Sequence, residues 1–238
     1  MTKCRGQAYY GAGNMAGKVK GAAARICSRY PQAQYFHCQA HKLNLCIVNT
    51  CKLSVVTNMM NTVRVVQEFF NYPKRGDFLQ SRITSMMEDS PARTKLIDCC
   101  RTRWVQRIDS LEIFTNLFPC ILDALTKIGN NEGGNWNNDS VADASCYMFS
   151  LQRFQFVVTL VIVKNILSYC MNLTLRLQSS TADIAQAFKH VTTMKTTIAD
   201  LRANIDDYHH KWYIEVVEST GKCDIMPSRP RTVRGQLY

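Results

Sequence analysis

The chain has 238 residues, 46% of them hydrophobic, which is enough to bury a core and too much for a disordered tail. Its 29 Lys and Arg outweigh 18 Asp and Glu, for a formal net charge of +11. That balance favours a polyanionic partner such as nucleic acid or an anionic membrane face, against the plainer reading of a solvated basic surface. Eleven cysteines in a chain that opens MTKCRGQAYY, with no basic stretch leading into an apolar one, read as reduced, packed thiols and not as a secreted disulfide framework.

Charge is unevenly spread. Residues 1–67 hold Lys3, Arg5, Lys18, Lys20, Arg25, Arg29, Lys42, Lys52 and Arg64 and no Asp or Glu; Glu68 is the first carboxylate. A two-metal nuclease needs several acidic ligands for Mg²⁺, so this segment supplies none of them, although it can contact phosphates. Within it, QAYYGAGNMAGK is a glycine-rich turn, Gly17 to Arg29 reads as a small-residue helix stopped by Tyr30-Pro31, and QYFHC has strand-like aromatics. The glycines and lysines of GNMAGKVKG match neither phosphate-loop spacing, so a tight basic turn into a helix is preferred over nucleotide binding.

From His41 the pattern turns helical, with Leu43, Ile47, Val55, Met59, Val63, Val66 and Phe70 recurring until Tyr72-Pro73. Phe78 to Glu88 predicts another short helix, and a further one starts near Ser110 with Leu111, Phe114, Leu117, Phe118, Ile121, Leu122 and Leu125 on one side. GNNEGGNWNND, residues 129–139, is a loop by composition. Two long helices are predicted next, about 140–179 and 182–218, joined at Ser179, Ser180 and Thr181 and expected to pair antiparallel. The first contains FVVTLVIVKNILSYCMNLTL, but Lys164 interrupts it and its apolar run from Phe156 to Val163 is well short of the ~20 residues of a membrane span, so a buried core helix is expected.

Two short motifs bear on chemistry. Cys38-x-x-His41 has the spacing of half a zinc site, but a structural zinc needs four ligands and only Cys99-Cys100 and His209-His210 remain, in unsuitable adjacency. A thiol and imidazole packed at a strand-to-helix corner is preferred, with no metal; no neighbouring acid is present to orient a cysteine nucleophile either. In RTRWVQR, residues 101–107, arginine forks flank an indole that could stack on an exposed base; a core tryptophan with a basic collar is the competing reading.

Taken together, GQAYYGAGNMAGKVKGAAARI, PQAQYFHCQAHKLNL, RTRWVQRIDSL, SSTADIAQAFKHV and MPSRPRTVRGQ resemble hAT-type transposases, in particular their domesticated relatives of the zinc-finger MYM-type and kinase-inhibitor-repressor kind, over nearly the whole chain. The resemblance implies a ribonuclease-H-like core with an acidic triad, interrupted by an all-helical insertion domain. Where the family reads Gly-Gln-x-Tyr-Asp-Gly-Ala, Tyr10 takes the place of the second metal-binding Asp. A phenol does not replace a carboxylate on Mg²⁺ at neutral pH. The other two triad acids are expected before Met1 and after Tyr238, so the chain is not expected to be an enzyme. The resemblance further makes Cys38 and His41 structural, and Arg103, Trp104 and Arg107 nucleic-acid contacts, the tryptophan supporting a flipped-out base.

The expected fold is therefore mainly α: a partial ribonuclease-H-like α/β remnant over 1–45, an all-helical insertion domain over 46–220, and a flexible tail over 221–238. The expected function is that of a catalytically inactive, transposase-derived fragment binding DNA weakly and non-specifically through its basic surface, in the nucleus, without cofactor or membrane contact. The alternatives are a helical module docking a protein through the helix pair 140–218, and a non-functional transposon fragment.

Overall fold

A computed structural model describes residues 4–9, 11–37, 39–87, 95–97, 104–178 and 184–229. Strand β1 (Gly6–Tyr9) pairs in parallel with β2 (Gln34–His37), Gln7 facing Tyr35 and Tyr9 facing His37 in register. Parallel strands need a crossover, and two short helices supply it: α1 (Gly13–Ala16) and α2 (Ala22–Arg29). The glycines between them are there for close approach. A Cβ at Gly17 would lie 2.4 Å from the carbonyl oxygen of Gly13, and one at Gly21 would lie 2.5 Å from the Gly17 nitrogen. Tyr30, ahead of Pro31, caps α2 as the sequence expects.

The rest of the described chain is helical. Helices α3 (Gln39–Thr50) and α4 (Ser54–Phe70) carry the apolar spacing seen in the sequence, and α4 buries Val56, Met59, Met60, Val63, Val66, Phe69 and Phe70 along one stripe. It ends where residues before Pro73 leave the helical region, and Pro73 then opens α5 (Pro73–Met86) at its first turn. Where the sequence suggests one helix from about Ser110, two form: α6 (Trp104–Asn116) and α7 (Phe118–Gly129). Pro119 lacks an N–H and its ring crowds the carbonyl four residues back, so the helix breaks at Leu117.

Each of the two long helices expected near the C-terminus is likewise divided, into α8 (Asn138–Leu151) with α9 (Phe154–Gln178), and α10 (Ile184–Ala203) with α11 (Ile205–Gly221). Asn204 closes α10 by donating from Nδ2 to the Asp200 carbonyl at 3.2 Å, and Asp206 and Asp207 favour the start of α11. The break at 152–153 has no proline or glycine. Leu151 and Phe154 are both buried, and the turn between them lets α8 pack on α7 while α9 packs on α6.

Helix α9 is the spine of the bundle, touching α3, α4, α6, α8, α10 and α11. Its stretch Phe154–Met171, with mean hydropathy 1.6, is long and apolar enough to cross a membrane, and half of it is buried inside the bundle. Lys164, in the middle of that stretch, binds Glu215 of α11, and Asn165 donates to the same carboxylate at 2.8 Å. Lys164 and Asn165 thus face a partner helix within the protein.

A single core runs from Ile47 to Ile225. Phe114, Phe118 and Phe156 meet at ring-centroid distances of 6.4 Å at its centre, and each such buried ring contributes about 1.5–3 kcal/mol by leaving water. The segment after α11 takes part as far as Ile225, which is buried, while Met226 beside it is exposed.

Candidate nucleic-acid interface

Two places follow from the sequence motifs: the end of the small sheet and the start of α6. At the sheet end, Tyr10 and Cys38 lie outside the described residues, immediately after β1 and β2. What the described residues bring there is aromatic. Tyr9 and Tyr35 stack at 6.3 Å, and the Tyr35 hydroxyl is 2.9 Å from His37 Nδ1. Below this tip, Gln7 is buried and its Nε2 lies 3.1 Å and 3.0 Å from the carbonyl oxygens of Ala23 and Ala33, which ties the start of α2 and the residue before β2 to β1. His41 falls in the first turn of α3. Among the described residues no cluster of three or more His, Cys, Asp or Glu is disposed to hold a metal ion.

The start of α6 is built differently. Trp104 and Arg107 occupy its first turn, so their backbone is helical, and Arg103 lies outside the described residues, one position ahead. The helix is anchored directly behind them. Ile108 and Leu111 are buried, and Ser110 Oγ accepts from Gln67 Nε2 at 2.6 Å while donating to the Ile97 carbonyl at 3.0 Å. This buried relay fixes α6 to α4 and to the segment leading into the motif, because leaving any of its members unpaired would cost desolvation free energy. The Arg-Trp motif thus opens a helix whose next turns are rigidly held.

Electrostatics favour an anion along the N-terminal segment. Arg5, Lys18, Lys20, Arg25, Arg29, Lys42 and Lys52 are all exposed, in a stretch without carboxylates. The perturbed thiols belong instead to the core: burial pushes the Cys170 thiol up to about 11 and raises Cys120 and Cys223 as well. Buried, protonated thiols are poor nucleophiles and poor metal ligands, so these cysteines act as packing residues. One basic and aromatic cluster, formed by Tyr72, Lys74, Arg75 and Trp136, was not singled out in the sequence. Tyr72-Pro73 reads there as a helix stop and Trp136 as a loop residue, and only their meeting across the 61 positions from Lys74 to Asn135 creates the cleft.

The fold and these features define a basic helical bundle with a small βαβ unit at its N-terminus. No protein-family model matches the chain, and no solved structure matches it. It is homologous to the "52 kDa repressor of the inhibitor of the protein kinase" of Homo sapiens, 30% identical over 236 residues, and to the protein of the same name in Mus musculus, 30% identical over 237 residues. In each case the alignment takes in 98% of this chain and 31% of the relative, so the chain spans about a third of the length of the curated relatives it matches.

Proposed function

We propose that this chain is a catalytically inactive, hAT-transposase-derived protein that contacts DNA through its basic surface, with Arg103, Trp104 and Arg107 as the principal contacts and the nucleus as its site of action. The observation that carries this reading is the N-terminal basic stretch, exposed at seven positions and free of carboxylates up to Glu68. Support also comes from the parallel β1–β2 pair with its helical crossover, the arrangement that a ribonuclease-H-like remnant would contribute. One face of that pair is open, as the 56% exposure of Phe36 marks, and parallel sheets are ordinarily covered on both faces. In the sequence, Tyr10 falls at the position where the resembled family carries its second metal-binding Asp.

In this mechanism the protein binds and positions, and transfers nothing. Arginine forks hold phosphates, the Trp104 indole stacks on an unpaired base, and lysines from the 1–67 segment add counterion-releasing contacts. The test is anisotropy of a labelled DNA hairpin across a salt series. Wild-type affinity is expected to fall steeply with salt, and removing Arg103 and Arg107 together to lower the log–log slope by about 2, since each phosphate contact contributes about 0.9. Binding that ignores salt and both arginines would sink the reading. Incubation of the same hairpin with Mg²⁺ or Mn²⁺ is expected to leave it intact.

A second reading, a helical module that docks a protein, has its own observation. Tyr213, Ile214 and Val217 are exposed on α11, an apolar strip of the kind that partner proteins cover. The relatives' name, repressor of an inhibitor, also allows a protein target. This reading predicts that DNA affinity, if measurable, is indifferent to Trp104→Ala, while Ile214→Lys abolishes capture of the partner.

A further inference from the structure

Where α4 turns into α5 and α7 into α8, the two connections flank an open cleft of about 460 Å³. One wall is the turn carrying Tyr72, Lys74 and Arg75; the other is the loop carrying Trp136 and Asn137. The loop is shaped to present its tryptophan. Asn131, Gly133 and Gly134 have φ of 50°, 84° and 66°, and the backbone N–H of Trp136 donates to Asn131 Oδ1 at 3.2 Å.

The aromatic and cationic groups are interleaved. Phe78 meets Trp136 edge-on at 5.3 Å, and the Lys74 ammonium lies 4.7 Å over the indole while bonding to the Asn135 carbonyl. The Arg75 guanidinium lies 4.3 Å from the Phe69 ring and 4.5 Å from the Tyr72 ring, and donates to the Phe69 carbonyl at 3.3 Å. Tyr72 is 62% exposed, which leaves ring surface open beyond the guanidinium. No carboxylate lines the cleft, and among the described residues neither Lys74 nor Arg75 forms an ion pair; the nearby Glu68 is taken by Arg64 at 2.6 Å. Two cations held by carbonyls and rings, with no ion-pair partner among the described residues, stand beside open ring surface and suit a ligand that joins an anion to a flat ring.

We propose that this cleft binds one nucleotide unit of a single-stranded nucleic acid, the phosphate against Lys74 and Arg75 and the base stacked on Tyr72 beside Trp136. The cations take the phosphate oxygens, and stacking on tyrosine needs no particular base, so the site is sequence-tolerant. It shares no residue with the Arg-Trp motif of α6. The same chemistry would accept a free nucleotide, and the two sources are separable by experiment.

The test uses the full chain and anisotropy of 5′-fluorescein dT10, with dTMP as competitor. Lys74→Glu is expected to weaken dT10 binding about tenfold or more, and Tyr72→Ala about fivefold or more, in line with the loss of a charged contact and of a stacked base. Both side chains are exposed, so the variants are expected to melt within about 2 °C of wild type. Lys74→Gln stands in should Lys74→Glu fail to fold. Arg107→Ala, outside the cleft, should change hairpin binding and leave the Tyr72 effect intact. Competition by dTMP would support the site with a free nucleotide as its source; binding of dT10 that dTMP does not displace would support it with a strand. Folded Lys74 and Tyr72 variants that bind dT10 as wild type does, or a wild type that binds neither probe, would overturn the proposal.

Discussion

The N-terminal βαβ unit and the helical bundle are held together by different forces. In the bundle, a continuous apolar core joins Ile47 to Ile225 and the aromatic trio of Phe114, Phe118 and Phe156 fills its centre. In the βαβ unit the only buried apolar side chains among the described residues are Ala23 and Ala33, and the organising group is Gln7, whose amide nitrogen reaches the carbonyls of Ala23 in α2 and Ala33 before β2. Gln7 Oε1 is buried with no partner among the described residues, a cost borne by no other buried side chain among them. Burial of large side chains sustains a region by itself, whereas a polar pin beneath a two-stranded sheet does not. The more basic, carboxylate-free region is therefore also the one with the smaller core.

The sharpest way to break this contrast is a pair of ring deletions. Phe114→Ala is expected to cost about 3–5 kcal/mol in denaturant unfolding, because it empties the centre of the core, while Phe36→Ala on the open sheet face is expected to change stability by less than about 0.5 kcal/mol. Equal effects would mean that the two regions share one core. Next in size, Ser110→Ala takes from Gln67 Nε2 the acceptor it uses at 2.6 Å, for a loss of about 1–2 kcal/mol by the same measurement.

Alkaline titration should single out the bundle through its thiols. Well below pH 9 Cys170 is protonated in both the folded and the unfolded chain, so it adds no pH dependence there. Above pH 9 the unfolded thiol ionises first, while burial holds the folded one protonated to about 11. Stability should therefore fall as pH rises from 9 to 11, and Cys170→Ala should flatten that fall. In the same window iodoacetamide should label exposed Cys146 well before buried Cys170. The smallest effect on the bundle is expected from Gly17→Ala. Its new Cβ meets the Gly13 carbonyl at 2.4 Å, so hydrogen-exchange protection in α2 should drop while the bundle's melting temperature moves by less than about 1 °C.

Much of this architecture is legible along the chain. The stripe from Val56 to Phe70, the stop at Tyr72-Pro73 and the loop around Gly133-Gly134 follow from apolar period, proline sterics and glycine φ, all local causes. The division of the long C-terminal helices was not legible. At 152–153 no residue disfavours helix, and the break is set by the need to bury Leu151 and Phe154 against different neighbours. Of the sites, the Arg-Trp motif is visible because its residues are adjacent, although the helix expected from about Ser110 starts earlier, at Trp104, within the motif. The cleft of Tyr72, Lys74, Arg75 and Trp136 is not, because α5, α6 and α7 run between Tyr72 and Trp136.

The amino-acid sequence by itself determined the helical class, the basic charge, the acid-free first 67 residues and the tyrosine at position 10, since each depends on composition or on neighbours a few positions apart. Tertiary structure alone decided that Lys164 faces Glu215 within the protein, that Gln7 holds α2 to its strand, and that two connections distant in sequence close around Trp136. Those outcomes depend on which helices come to lie side by side, and side-by-side packing is fixed by the burial of the whole core and not by any one stretch of chain.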